Sequence, residues 1–178
     1  MFVVHETRLD IPFSAAQARL SNLIGGSLLV EASQGAYGEG ISGLTRVGPA
    51  GPMPGLSRLV HARFGDLVIR GDAATLKLRW EAIGPGGGLF PALDADLTLT
   101  ATGTQATVFR LDGAYRPPLG ALGTGLDRAI LHRVATATIQ SFVYRVADAI
   151  VNPAPATPEQ RAGRAWEIPR AAPEAEEI

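Results

Sequence analysis

The sequence predicts an α+β protein in which short antiparallel strands precede one long helix. Apolar and polar residues alternate over 74–83, 93–99 and 107–111, as they do in strands that bury one face. The chain also contains 21 glycines and 13 prolines, residues that are common in the tight turns between such strands. Finally, a segment ending near Val151 carries apolar residues at helical spacing and is flanked by prolines.

The first two predicted elements are a strand and a short helix. Residues 2–9 are rich in β-branched side chains and roughly alternate, which favours a strand that ends before Pro12. Ser14 is placed to cap a helix that continues to about Ile24. We therefore expect the chain to open with a strand followed by a helix.

The next segment is rich in glycine and gives a weaker signal. Residues 27–32 fit either a second short helix or the start of a strand. Residues 35–47 indicate one or two short strands interrupted by glycines, and residues 48–55 form a loop of glycine and proline.

A series of hairpins is predicted next. We expect strands over 57–64, 67–70 and 74–83, with turns at 65–66 and 71–72. In these and the two following strands one face is apolar and the other carries the charges, so most charged side chains are expected to face solvent. Three of them could pair across neighbouring strands on that polar face: Arg79, Asp96 and Arg110.

The last predicted element is a long helix that begins near Leu119 or Leu122 and ends at Val151. It carries two apolar stripes, one through Leu126 and Ile130 and a second through Ile139 and its neighbours. One stripe can pack on the sheet. The other needs a cover, which could be the N-terminal helices, a ligand or a partner subunit.

The chain is expected to form one domain over residues 1–152. The remaining residues, 153–178, are rich in proline, alanine and glutamate and show no apolar periodicity. We expect this tail to be disordered or loosely packed.

Composition excludes several classes of function. The 16 basic and 17 acidic side chains give a formal net charge of -1, so there is no general attraction to nucleic acid, which is not an expected partner. The chain has no cysteine, which excludes disulfides, thiolate nucleophiles and the usual structural zinc sites. No metal-binding or nucleotide-binding motif is present, so neither a metal nor a cofactor is expected.

The expected location is the cytoplasm. The first ten residues lack the basic and apolar regions of a signal peptide. No segment reaches the length of about 18 apolar residues that a membrane-spanning helix needs. An integral membrane segment is therefore not expected.

The order of strand, short helices, antiparallel strands and long C-terminal helix resembles the helix-grip fold of the START-like superfamily, also called SRPBCC. This superfamily includes lipid-transfer domains, pollen-allergen-like carriers and polyketide cyclases. Residues 78–99 (LRWEAIGPGGGLFPALDADLTL) and 113–150 are similar to those of uncharacterised actinobacterial-type members. The resemblance covers about residues 2–151, and its segments carry no established catalytic signature.

The resemblance implies a curved antiparallel sheet of about six to seven strands wrapped around the long helix, with one or two short N-terminal helices. It also implies an elongated apolar cavity between sheet and helix. Aromatic and apolar side chains on the strands would line that cavity or fill a core, and the polar His61 would lie inside it or on the outer face of the sheet. The candidate ligand-binding residues on the strands are Trp80, Leu97, Phe109, Tyr115 and His61.

Polar residues of the long helix form a second candidate group. Arg133, Gln140 and Tyr144 are spaced at i, i+7 and i+11 and so share one stripe. They could offer a cation, an amide and a phenol to the head group of a ligand. Alternatively, Arg133 extends into solvent and Tyr144 packs at the rim of the fold.

Three functions remain open on the sequence. The first is binding or carriage of a hydrophobic small molecule, such as a lipid, a polyketide or an isoprenoid. The second is a cyclase or dehydratase acting on a polyketide, and no catalytic residue is assigned for it. The third is a protein-interaction module with a filled core, for which a homodimer is one candidate assembly.

Overall fold

A computed structural model of the chain describes residues 1–47, 60–82, 92–116 and 128–153. The predicted loop at 48–55, the residues predicted to begin the long helix before Arg128, and nearly all of the tail lie outside the described residues. Within the described ranges the chain forms three helices and five strands. In chain order they are β1 (Phe2–Leu9), α1 (Phe13–Ile24), α2 (Leu28–Val47), β2 (Val60–Arg70), β3 (Ala73–Ala82), β4 (Ala92–Gly103), β5 (Ala106–Arg116) and α3 (Arg128–Val151).

The five strands form one antiparallel sheet in the order β1-β5-β4-β3-β2. The first strand therefore pairs with the last, and β1 and β2 are the two edges. Leu97 of β4 lies directly opposite Leu76 of β3 and Leu111 of β5. Because opposed residues share a face, these leucines mark an apolar inner face on which the helices pack.

The described sheet has five strands where about six to seven were expected, and the difference has two causes. Residues 35–47 belong to the helix α2, so the strands predicted there are wrong. Gly65 and Asp66 form a β-bulge within a single strand, β2, so the predicted turn at 65–66 is also wrong. Glycine is common in both bulges and turns, so Gly65 was interpreted as part of a turn.

Other predicted elements agree with the structure. β1 has the predicted bounds, and the turn at Gly71 separates β2 from β3 as expected. The helix α1 ends at Ile24 as predicted, but its N-cap is Pro12, so the capping role predicted for Ser14 is wrong. Proline suits a helix start because it fixes φ and lacks the backbone N–H that would go unpaired there.

The C-terminal helix α3 packs on the sheet through the second of its two predicted stripes. Ile139, Phe142, Val143, Val146 and Ile150 are all buried. Ala137, from the first stripe, is exposed. Helices α1 and α2 lie beside α3, so the N-terminal helices help to cover it.

Polar contacts join the helices at their surfaces. Glu39 of α2 accepts hydrogen bonds from Ser141 and Arg145 of α3. The Ser141 hydrogen bond, and then the Arg145 guanidinium, hold the pKa of Glu39 below its usual value. Arg19 of α1 donates to the terminal carbonyl groups of α3. No helix in the described ranges is long and apolar enough to cross a membrane.

Candidate functional site

A row of three buried side chains crosses the inner face of the sheet near one end of its strands. Trp80 of β3 lies opposite Leu93 of β4, and Leu93 lies opposite Tyr115 of β5. All three are almost fully buried. The pairing register of β3, β4 and β5 therefore places the rings of Trp80 and Tyr115 on the two sides of Leu93.

Helix α2 lies over this row and contributes Ser33. The indole Nε1 of Trp80 donates to the Ser33 hydroxyl at 3.1 Å. That hydroxyl in turn donates to the carbonyl oxygen of Leu29 at 2.7 Å. Both buried polar groups are thus satisfied, and the bond from Trp80 joins β3 to α2.

Tyr37 lies one turn after Ser33 on α2, and its hydroxyl has a different environment. The side chain is 2% exposed, and the hydroxyl oxygen is buried without a hydrogen-bond partner among the described residues. Burial raises the pKa of Tyr37 to about 12. Leaving a buried hydroxyl unpaired costs about 1–3 kcal/mol.

Tyr115 of β5 lies close enough to Tyr37 of α2 for the two phenols to interact electrostatically. Burial, and secondarily the Tyr37 phenol, raise the pKa of Tyr115 well above its usual value. Both phenols, here called the phenol pair, are therefore protonated at neutral pH and each is able to donate a hydrogen bond.

The backbone of Tyr115 is fixed by the start of the chain. The N-terminal amino group of Met1 donates to the Tyr115 carbonyl at 2.7 Å, and the Tyr115 amide donates to the Met1 carbonyl at 2.8 Å. These bonds extend the pairing of β1 with β5 to the level of the phenol pair.

Helix α3 closes another side of the site with an aromatic ring. Phe142 meets Trp80 edge to face, with ring centroids 5.1 Å apart and planes at 86°. This arrangement suits the charge distribution of two aromatic rings. The buried surroundings of Trp80 are therefore apolar and aromatic.

A surface pocket of about 410 Å³ adjoins the row at the same end of the sheet. It shares Trp80, Leu93 and Tyr115 with the row, and its charged lining residues are Arg79, Asp94 and Arg116. The row is thus next to a space open to solvent that charged side chains of both signs line.

Trp80 and Tyr115 are the two predicted site residues that the structure brings together. Leu97 and Phe109 also lie on the inner face, but they are fully buried within the core. Whether any of the four contacts a ligand stays a prediction.

The predicted polar group of the long helix lies elsewhere. Arg133 is exposed, Gln140 is half-buried, and Tyr144 is 56% exposed. The Tyr144 ring meets His5 of β1 edge to face at 5.2 Å. No hydrogen bond or ring contact among the described residues joins these side chains to the phenol pair, and their ligand role stays a prediction.

His61 lies on the outer face of the sheet. Its register partner is Glu81, and the side chain is exposed. The only described hydrogen bond to the imidazole is a long one of 3.4 Å, from Arg63 Nε to His61 Nδ1. Of the two positions considered for His61, inside or outside the sheet, the structure shows the outer one.

Sequence reasoning missed Ser33 and Tyr37. The glycines at 35–43 obscured a helical pattern that was available in the sequence, since Leu29, Ser33, Ala36 and Tyr37 are spaced at i, i+4, i+7 and i+8. All four are buried along one face of α2. A count of helical against alternating periodicity would have identified this face.

The described residues contain no group of three or more histidine or acidic side chains arranged to hold a metal ion. The candidate site therefore consists of hydrogen-bond donors and apolar walls.

No protein-family model matches the chain, and no curated protein sequence matches it. The chain is similar to a protein of known crystal structure from Thermus thermophilus, with a TM-score of 0.43 and 12% identity over 87% of this chain and 100% of that one. A hypothetical protein from Helicobacter pylori gives a TM-score of 0.41 and 10% identity over 81% of this chain and 86% of that one.

An aromatase/cyclase from a Streptomyces species gives a TM-score of 0.27 and 10% identity, over 84% of this chain and 95% of that one. At such scores the three likenesses carry no conclusion about function. A functional assignment therefore depends on the residues of this chain.

Proposed function

We propose that the protein binds a small, largely apolar molecule that carries a carbonyl or similar hydrogen-bond acceptor, and that it does so at the phenol pair between α2 and the sheet. The observation that supports this proposal is the buried hydroxyl of Tyr37, which has no partner among the described residues. We also propose that the chain is a START-like protein, because its order of elements is the one expected of a helix-grip fold.

The chemistry of the phenol pair defines the ligand. Both hydroxyl groups are donors at neutral pH, because burial disfavours their ionised forms. A ligand oxygen that accepts from Tyr37 would replace the hydrogen bond that the hydroxyl lost when it left water. A carbonyl group fits this requirement, and the apolar body of the ligand would contact Trp80, Leu93 and Phe142.

The same residues favour binding over catalysis. Among the described residues, no carboxylate, imidazole or ammonium group forms a hydrogen bond with either phenol. General base catalysis needs a group that accepts a proton near the operating pH, and a phenol with a raised pKa does not. Carriage is therefore preferred to the cyclase or dehydratase alternative.

Native mass spectrometry of the full chain, followed by denaturing extraction, is the first test of carriage. We expect a co-purifying molecule with a carbonyl group and a mainly hydrocarbon body. A second test uses the uncharged naphthyl ketone prodan, whose emission shifts to the red when its carbonyl accepts a hydrogen bond.

In the prodan titration we expect saturable binding to the wild-type chain and about tenfold weaker binding to Tyr37→Phe, which is the effect of losing one hydrogen bond of about 1.4 kcal/mol. The bound probe should also lose part of its red shift. Tyr144→Phe is the matched control, because it removes an exposed phenol. Equal affinity and emission for wild type and Tyr37→Phe would refute the proposal, as would the absence of both a co-purifying molecule and saturable probe binding.

A further inference from the structure

Among the described strands, β2 is one edge of the sheet, and its last five residues are unusual for an edge. Val68 is 48% exposed and Ile69 is 50% exposed. Exposed β-branched side chains beside unpaired backbone groups favour pairing with another strand, and natural proteins usually protect such edges with charges or proline. The segment Asp66 to Arg70, here called the edge segment, is therefore a candidate interaction surface.

The side chains of the edge segment alternate between the two faces of the sheet. Asp66, Val68 and Arg70 line a shallow groove on the outer face, together with Thr75 and Lys77 of β3. Leu67 and Ile69 belong to the inner face, opposite Leu76 and Ala74 of β3.

This order of residues is self-complementary. If two copies of the edge segment pair antiparallel about an axis through Val68, then each Asp66 lies opposite the Arg70 of the other copy. Val68 meets its own equivalent, and each Leu67 meets an Ile69. Opposite charges and apolar side chains directly across from each other are the pairs that stabilise antiparallel strands.

The charged residues of the edge segment are also available. Within the described ranges, no ion pair or hydrogen bond involves the side chain of Asp66 or of Arg70. At the other edge of the sheet, by contrast, Glu6 and Arg8 of β1 already have ion-pair partners. A second strand would therefore meet charged side chains without described ion-pair partners at Asp66 and Arg70, but already paired ones at Glu6 and Arg8.

From this pattern we propose that two copies of the chain associate through their edge segments to form one continuous ten-stranded sheet, with the described five strands contributed by each copy. The two-fold axis passes beside Val68, so the interface is the same patch on both copies. The paired segment is short, because the β-bulge at Gly65 and the turn at Gly71 limit it at its two ends. The dimer is consequently expected to dissociate on dilution.

Charge reversal tests the proposed register. Sedimentation velocity of the full chain over a wide concentration range should show a monomer–dimer equilibrium. Asp66→Arg alone, or Arg70→Asp alone, places like charges opposite each other at two symmetric positions. Each should raise the dimer dissociation constant by about tenfold or more. The double variant Asp66→Arg/Arg70→Asp restores opposite charges and should restore the dimer.

Two further variants separate this edge from other surfaces. Val68→Lys should abolish the dimer, whereas Val4→Lys at the β1 edge should leave it unchanged, and both positions are exposed so that folding is preserved. Circular dichroism of each variant checks the fold. A wild-type chain that is monomeric at every concentration would overturn the proposal. So would a dimer that is insensitive to the single reversals, or one that the double reversal does not restore.

Discussion

Ser33 and Tyr37 lie one turn apart on the same face of α2, yet their hydroxyl groups are in opposite situations. The Ser33 hydroxyl accepts from Trp80 and donates to a backbone carbonyl, whereas the Tyr37 hydroxyl is buried without a partner among the described residues. Removing one oxygen from each side chain should therefore change stability in opposite directions. Comparing the variants at Ser33 and Tyr37 therefore distinguishes a hydroxyl with a structural role from one that is available to a ligand.

We predict that Ser33→Ala lowers the free energy of unfolding by about 1–3 kcal/mol, because the indole N–H of Trp80 is left unpaired in the interior. Tyr37→Phe should leave the free energy of unfolding of the ligand-free protein unchanged or raise it, since it removes an unsatisfied group. Urea unfolding followed by circular dichroism measures both changes. A loss of more than about 1 kcal/mol in Tyr37→Phe would show that its hydroxyl has a structural partner.

The phenol pair also predicts a dependence of stability on alkaline pH. The pKa of Tyr37 is raised from 10.0 to about 12 in the folded protein. Above pH 10 the unfolded chain therefore loses this proton more readily than the folded chain does. The stabilisation is complete below the unfolded pKa and is lost as pH rises through the folded value.

We expect the free energy of unfolding to fall between about pH 10 and pH 12, and to fall less steeply in Tyr37→Phe than in the wild type. Urea unfolding at several alkaline pH values gives the two slopes. Identical slopes for wild type and Tyr37→Phe would show that Tyr37 is not protonated preferentially in the folded state.

At the scale of elements, two glycines show how packing decides the effect of one methyl group. A Cβ at Gly113 of β5 would lie 2.5 Å from the Cβ of Ala95, and closer still to the backbone of β4. A Cβ at Gly38 of α2 would meet nothing within 4 Å. The first glycine lets two strands and their inner-face side chains approach, and the second only weakens a helix.

We predict that Gly113→Ala lowers the free energy of unfolding by at least about 2 kcal/mol, because backbone and packed side chains must move. Gly38→Ala should raise the free energy of unfolding by about 0.5–1 kcal/mol through helix propensity. Thermal and urea unfolding of the two variants measure the difference. A tolerated Gly113→Ala would contradict the described register of β4 with β5.

Alternation within a strand made three of the elements predictable. The apolar faces of β3, β4 and β5 were read correctly because each strand has one buried and one exposed face, and this pattern is local to the sequence. A helix was one of the two alternatives for residues 27–32, but residues 35–47 of α2 were predicted as strands because their glycines lower helix propensity. One of them, Gly35, lies against the guanidinium of Arg145, and this contact exists only once α3 has packed on α2.

Across the whole molecule, the outer face of the sheet carries the charges and the inner face carries the proposed ligand site. The expected grouping of Arg79, Asp96 and Arg110 on the outer face agrees with the register of the sheet. Their ion pairs, however, are formed with other neighbours: Glu81, Lys77, Glu6 and Asp112. These pairs are largely exposed, so each contributes little to stability.

The two proposals concern different parts of the sheet. The phenol pair joins α2 to the inner face of the sheet at β5, and the edge segment follows the bulge of β2 at the other side of the described sheet. Failure of either proposal would therefore leave the other intact. A monomeric chain could still bind a ligand, and a dimer could form without one.

The sequence by itself determined the fold class, the faces of the later strands and the long C-terminal helix, because each follows from periodicity within one segment. It also placed Trp80 and Tyr115 among the candidate residues. Only the tertiary structure decided that Tyr37 of α2 lies near Tyr115 of β5. The position of Tyr37 near Tyr115 depends on how α2 packs relative to β5. These two elements are far apart in the chain, and no pattern within one segment determines how they pack.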